Sequence, residues 1–320
     1  MLSLTITHGG RTFDVSQRFS SLTWSGDKNA AARSINVSLL PDTACELGDH
    51  AVLSSGGNVL LDGFVTEISQ KTGLGSMLEV GIHDRGLQLN RNEGVYKFQN
   101  ATPADIVKKV CADFSVEVGN LPATGDFRLT RNFVDVALFK IIATAYSKAS
   151  VATGKHYHIG FVGTKLTVKE LGQRASTPLL RPGSNLISAS SARSIEKLVN
   201  RVVIVDKDGN TLSTKEDAAS QRSYGLSQNV LKDSDNAQQE AAKLLEDRAA
   251  PEYKISVDGL GDVRYISGET AAVQDRATGL WGIFAIDSDS HTWDGTGYKC
   301  SLTLTLKNVM EEVDAGSDPK

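Results

Sequence analysis

GDHAVLSSGGNVLLDGFVTEI, Gly48 to Ile68, sets a glycine and an acid ahead of a short run, then opens a longer run on another glycine. A glycine-acid pair suits a turn into a strand, because glycine reaches positive φ without a steric penalty and aspartate bonds local backbone. The alternation that follows has a period of two, that of a strand with one buried face. GETAAVQDRATGLWGIFAI, Gly268 to Ile286, repeats the arrangement, again with a glycine about 15 residues after the first. The two stretches therefore read as copies of one β module. Three such chains would then offer a ring of six quasi-equivalent modules.

Working outward, residues 1 to about 95 read as β throughout. Leu2, Leu4 and Ile6 alternate, and further strands are expected at 34–40, 51–53, 59–68 and 77–83, separated by Gly56-Gly57, Gly73 and Gly75. Short strands at such spacing indicate a small sandwich or barrel. From about 185 to 310 the pattern returns, with strands at 202–205, 254–257, 282–286 and 300–306 and a turn at Asp208-Gly209. One helix is expected in that region, from Asp235 to Ala249, with Ala237, Ala241, Leu244 and Leu245 on one side and Pro251 stopping it. The tail from Glu311 to Lys320 is polar and is expected to fray.

The middle, about 99 to 178, differs. Thr102-Pro103-Ala104-Asp105 supplies an N-cap, a proline at the first helical position and an acid three residues after the cap. Ile106, Val107, Val110, Cys111 and Phe114 then recur at helical spacing. A second helix is expected from Asp135 to Ala149, with Leu138, Phe139, Ile142, Ala145 and Tyr146 on its apolar side. A hairpin follows, 156–162 and 165–169 about a Gly163-Thr164 turn. Its alternation puts Tyr157, Ile159 and Phe161 against the helices and His156, His158 and Gly160 on the opposite face, toward solvent or a neighbouring subunit.

Composition narrows the function classes. In 320 residues, 40% are hydrophobic and 22% charged, with a formal net charge of −4, which gives no general attraction to nucleic acid or an anionic membrane. No run of 18 apolar residues exists, and MLSLTITHGG lacks the basic and apolar regions of an export signal, so synthesis and assembly in a cytoplasm are expected. Cys45, Cys111 and Cys300 are far apart and form no C-x-x-C, which suggests neither a disulfide framework nor a zinc knuckle.

Each cluster with a chemical appearance has a plainer reading. His156 and His158 share a strand face as metal ligands would, yet the hairpin itself supplies no third ligand, and nothing in the sequence brings His291 or His83 to it. Asp287-Ser288-Asp289-Ser290-His291-Thr292-Trp293-Asp294 has alternating carboxylates but not the glycine and terminal glutamate of a calcium loop, so it reads as a polar connection between strands. Asp206, Asp208 and Asn210 sit around a ready hairpin turn. His83-Asp84-Arg85 juxtaposes histidine and carboxylate, but neighbours on a strand face opposite ways and no G-x-S-x-G is present. Trp24, Trp281 and Trp293 lie in β patterns and read as core or interface rather than sugar platforms. The stretch from Thr102 to Leu121 resembles one helix of a LysM module, a peptidoglycan-binding unit, in part of its motif. No catalytic, cofactor or metal residue is assigned.

A set of phrases extends over nearly the whole chain. Leu22-Thr23-Trp24-Ser25-Gly26-Asp27, Ala32-Arg33-Ser34-Ile35-Asn36-Val37-Ser38-Leu39, Leu61-Asp62-Gly63-Phe64-Val65 and Tyr96-Lys97-Phe98 begin it. His83-Asp84-Arg85-Gly86-Leu87-Gln88-Leu89-Asn90-Arg91-Asn92 and Thr153-Gly154-Lys155-His156-Tyr157-His158-Ile159 continue it, followed by Asn200-Arg201-Val202, Ser223-Tyr224-Gly225 and Asp258-Gly259-Leu260. In this order they resemble the XkdQ/YqbQ-type baseplate hub proteins of contractile phage tails and defective prophages. The family usually has a tyrosine-aspartate pair where this chain has His83-Asp84, so a role of that aromatic does not carry over.

The resemblance implies an α+β, mainly β fold: tail-tube-like β-barrel domains at 1–98 and 179–320 and an inserted, partly LysM-like α+β module at 99–178. It implies a non-enzymatic structural component of the virion tail baseplate, assembled in the bacterial cytoplasm. The chain would form a homotrimer with a pseudo-sixfold ring, joining a hexameric tail tube to a trimeric central spike among other baseplate proteins. The alternative is a peptidoglycan hydrolase or peptidoglycan-binding tail component.

Overall fold

Alternating apolar and polar residues put seven strands at the start: β1 (Leu2–His8), β2 (Arg11–Asp14), β3 (Phe19–Asp27), β4 (Ser34–Leu39), β5 (His50–Ser55), β6 (Asn58–Gln70) and β7 (Leu78–Asp84). These bounds come from a computed structural model, which describes residues 2–71, 73, 75–172, 177–234, 237–307 and 309–319. The inward positions of these strands, among them Leu4, Ile6, Leu22, Trp24, Ile35, Val37, Leu53, Val80 and Ile82, form one buried core. Apolar burial of that kind is worth about 1.5–3 kcal/mol per large side chain, enough to fix which face of each strand turns inward.

The middle elements are α1 (Gly86–Arg91), β8 (Glu93–Ala101), α2 (Pro103–Asp113), β9 (Glu117–Val118), β10 (Leu129–Ala137), α3 (Leu138–Thr153), β11 (Tyr157–Val162) and β12 (Lys165–Glu170). The capping box read from Thr102 and Asp105 forms: the Thr102 hydroxyl accepts from the Asp105 N–H at 3.0 Å, and the Asp105 carboxylate accepts back. α3 begins at Leu138 rather than Asp135, because Asp135 has φ +53 within an irregularity of β10 and the strand keeps its pairing with β8 to Ala137. β11 and β12 pair about the expected two-residue turn, and Tyr157 and Ile159 join the buried side of α2 and α3. Residues 313–317 of the C-terminal tail are docked rather than frayed. Val313 and Ala315 donate to the Ser147 and Thr144 hydroxyls of α3, Arg131 binds Asp314 and the Ala315 and Gly316 carbonyls, and Ser317 bridges to Asn132.

The remaining elements are β13 (Leu179–Leu180), β14 (Leu186–Ser194), β15 (Arg201–Val205), β16 (Thr211–Glu216), α4 (Ala218–Tyr224), β17 (Gln228–Lys232), α5 (Ala237–Arg248), β18 (Glu252–Leu260), β19 (Thr270–Asp275), β20 (Leu280–Asp294) and β21 (Gly297–Thr305). Asp235, the expected start of α5, lies outside the described residues. The chain divides into two compact units, residues 1–189 with 256–320, and residues 190–255. In the smaller unit β15 lies between antiparallel β16 and parallel β17, and α5 covers Val199, Val202 and Ile204 with Ala237 and Ala241. There Asp206 is spent on the hairpin turn, accepting from the Asp208 and Asn210 N–H groups at 2.8 Å.

The principal sheet runs β14-β18-β21-β20-β3-β4-β7-β6-β5-β1-β2, with β19 also on β20 and β13 on β19. β20 is antiparallel to β3, so a strand of the last β region is hydrogen-bonded to a strand of the first. The fold is α+β and mainly β.

Candidate functional site

The seam between β3 and β20 holds a buried cluster of polar and aromatic side chains. The polar run from Asp287 to Asp294 is no connection: it is the second half of a 15-residue strand. Alternate residues point opposite ways, so Asp289 and His291 face inward and are 3% and 0% exposed, while Ser288, Ser290 and Thr292 face out. Arg33, just before β4, grips both Asp289 oxygens with its guanidinium fork, one bond being 2.9 Å. The Ser267 N–H adds a third donor at 2.7 Å. Burial alone would raise the Asp289 carboxyl, but hydrogen bonds from His291 and Arg33 and the Arg33 charge outweigh it and hold the group down at about 2. His291 Nε2 donates to the Tyr265 carbonyl at 2.8 Å and lies 3.3 Å from the Asp289 carboxylate, and its Nδ1 shares a hydrogen bond of 2.9 Å with the Tyr298 hydroxyl. Trp24 completes the cluster, with the Arg33 guanidinium 4.0 Å from its ring centre.

The carboxylate and the imidazole of that network are already engaged, while the buried Arg33 Nε and Trp24 Nε1 have no hydrogen-bond partner. Asp289 is saturated by donors, and both nitrogens of His291 are used. Such a cluster ties strands together, its carboxylate and imidazole committed to one another and to neighbouring groups.

The opposite face of the same strands is lined with hydroxyls. Ser21, Thr23 and Ser25 of β3 stand beside Ser34 and Ser38 of β4 and Thr292 of β20, with Ser25–Ser34 at 3.1 Å and Thr23–Thr292 at 3.3 Å. Ser301 and Ser188 both donate to Asp258 at 2.6 Å. A shallow groove of about 480 Å³ follows this face between Ser25, Ser34, Ser256, Asp258, Ser290 and Thr303. Short hydroxyl side chains that bond across strands make this a shallow polar surface, and the carboxylates of Asp27 and Asp258 give it negative charge.

The histidines are not brought together. His156 bonds the Ser150 hydroxyl at 2.8 Å. His158 does not face solvent: its ring lies where a side chain on Gly268 would be, and burial, with the Lys169 charge behind it, lowers it to about 4. His83 bonds Thr66 at 2.7 Å, whereas Asp84 accepts from the Arg33 and Gly86 N–H groups and burial raises it to about 6, so the two never share a proton path. Trp24 is core, Trp293 stacks on Tyr298, and Trp281 is 59% exposed. Arg33, Tyr265 and Tyr298 escaped the reading of the sequence. The period-two alternation of residues 288–293 was the available signal, and it was hidden because both faces are polar.

The repeated stretches carry matching main-chain geometry. Gly48 (φ +87) donates to the Val65 carbonyl at 2.8 Å and the Val65 N–H to the Asp49 carbonyl at 2.9 Å. Gly268 (φ +81) donates to the Ile286 carbonyl at 2.9 Å and the Ile286 N–H to the Glu269 carbonyl at 2.9 Å. In both copies the long strand then bulges, between Val65 and Glu67 against β7 and between Ile286 and Ser288 against β21.

Four similarities to known proteins stand beside this geometry. Residues 22–305 match the model of a family described as YQBQ-like. The phage-like element PBSX protein XkdQ of Bacillus subtilis (strain 168) is 24% identical over 309 residues, 91% of this chain and 94% of that protein. Among solved structures, the 43 kDa tail protein of prophage MuSo2 from Shewanella oneidensis superposes with a TM-score of 0.73 at 13% identity, covering 98% of this chain and 100% of its own. The E. coli c3393 protein, a type VI secretion component with structural similarity to T4 bacteriophage tail proteins gp27 and gp5, superposes at 0.57 and 11% identity, covering 95% and 76%.

Proposed function

The chain belongs to the YQBQ-like family, and from that premise we propose that it is a structural hub of a contractile phage tail or tail-like particle. In this reading it is a homotrimer, and its two copies of the β module per chain make a pseudo-sixfold ring. The ring seats a hexameric tail tube on one side and a trimeric spike on the other, and the hydroxyl face lines its bore. The barrels are assigned to 1–98 and 179–320 and the inserted module to 99–178. The role is assembly, with no reaction catalysed.

One observation carries the reading. The Gly48–Val65 and Gly268–Ile286 pairs make the same two reciprocal main-chain bonds and lead into the same bulge. Two quasi-equivalent modules in one chain are what a trimer needs to present six similar surfaces to a hexamer. The names of the similar proteins, a phage-like element protein and a prophage tail protein, agree with it.

The test is mass measurement of the purified full chain, alone and mixed with the tube and spike proteins of its own particle. A three-chain species that captures both is expected. A strict monomer at high concentration, unchanged with both present, overturns the reading.

A further inference from the structure

The first half of β11 is enclosed on both faces, and the second face carries a titratable group. Tyr157 and Ile159 pack into the core formed with α2 and α3. His158 points the other way and meets the turn that opens the second copy of the β module, at Gly268 and Glu269. Two glycines make room for its ring. A Cβ on Gly268 would lie 2.7 Å from the His158 Cγ, and one on Gly160 would lie 3.3 Å from its Nε2. Nδ1 is buried there without a hydrogen-bond partner. An apolar side chain would fill such a notch without the cost of an unpaired polar atom, so packing alone does not account for a histidine.

The charges round the notch are matched without it. Lys169, opposite His158 on β12, binds Glu269. Lys28, on the turn between β3 and β4, binds Asp287 at 2.6 Å, and Arg33 binds Asp289. Tyr157 and the exposed Glu311 of the tail line the adjoining cavity. Three cations thus stand about the ring, and the carboxylates beside them are already held by those cations. A proton on the ring adds a positive charge where desolvation disfavours it. Burial first, then the Lys169 charge, lowers the imidazole from the ordinary 6.5 to about 4.

We propose that His158 is an acid-opened latch: a proton taken up at Nδ1 drives the ring out of the notch between Gly160 and Gly268 and releases the β11–β12 hairpin from the second copy of the β module. A group that stays neutral when docked and charges on release couples the two events. The docked ring takes a proton less readily than the released one. Docking is therefore strongest above pH 6.5, weakens as pH falls toward 4, and is level below that. Between pH 7 and pH 5 the released fraction should rise about 20-fold. The latch lies within one chain and does not depend on the hub assembly proposed above.

Hydrogen exchange of the full chain, read by mass spectrometry and corrected for intrinsic rates, tests it. Protection of the amides at 156–162 and 266–270 should fall about 20-fold from pH 7 to pH 5, while the amides of β4 keep theirs. His158→Gln should remove that dependence. Should this variant fail to fold, Lys169→Met, which takes a cation from beside the ring, should make the fall smaller than in the unsubstituted chain. Proton titration of the His158 ring in the unsubstituted chain is the second measurement, with a midpoint well below 6.5 expected. Unchanged protection, an equal fall in either variant, or a ring that titrates near 6.5 overturns the latch.

Discussion

Arg33 shows how one residue can decide a seam. Its guanidinium is held by Asp289 and lies over Trp24, and its own N–H bonds Asp84. Removing one partner of a buried ion pair leaves the other charge uncompensated, at about 3–5 kcal/mol. Asp289→Asn should therefore lower the urea midpoint by that equivalent without altering secondary structure, and a change under 1 kcal/mol would show the pair to be idle. The pH dependence has a definite sign. Asp289 sits at about 2 in the fold against 3.8 unfolded, so its stabilisation is complete above pH 4 and is lost as pH falls toward 2. Asp84 is displaced the other way, to about 6, so its neutral form suits the fold and its contribution fades as pH rises from 4 to 6. Urea titrations of Asp84→Asn should show a flatter stability profile between pH 4 and 7 than the unsubstituted chain. A parallel profile would mean that Asp84 ionises as freely in the fold as in the unfolded chain. None of this was legible in the sequence, because partners 256 positions apart leave no local pattern.

At the scale of elements, local chemistry was readable wherever it acts within a few residues. The capping box at Thr102 and Asp105, the Gly163-Thr164 hairpin and the Asp208-Gly209 turn all stand where spacing placed them. Thr102→Ala should cost about 1 kcal/mol in thermal or urea unfolding, as lost caps do; no loss would mean the helix is fixed by packing alone. The failures were of another kind. The tail reads as polar and loose because many of its partners are main-chain groups, the hydroxyls of Thr144 and Ser147 and the charges of Arg131 and Lys148, and its core contacts, Met310, Val313 and Ala315, are too few to make a hydropathy pattern. Arg131 is the main anchor, binding two tail carbonyls and Asp314 while 8% exposed. Arg131→Ala should expose the tail to limited proteolysis after residue 308 and cost about 1–3 kcal/mol. A tail as resistant as before would assign its docking to Val313 and Ala315 alone.

For the whole molecule, the internal echo of Gly48–Val65 and Gly268–Ile286 was legible as a repeat, since glycine at positive φ and an acid after it leave a mark in sequence. The sharing of one sheet by both copies was not, because strand order depends on pairing across 260 positions and more, such as Asp27 with Ser288. The ring proposed from the two copies has a thermodynamic signature of its own. If folding and trimerisation are coupled, each tenfold rise in concentration stabilises the assembly by twice RT ln 10, about 2.7 kcal/mol per trimer or 0.9 per chain. For a chain of this length the entropy of unfolding makes that about 1–2 °C per decade. Scanning calorimetry from micromolar to millimolar chain should therefore raise the melting temperature by about 3–6 °C, while a monomer holds one value throughout. A flat series, with unfolding reversible on rescanning, would remove the mass-action coupling on which the trimeric hub depends.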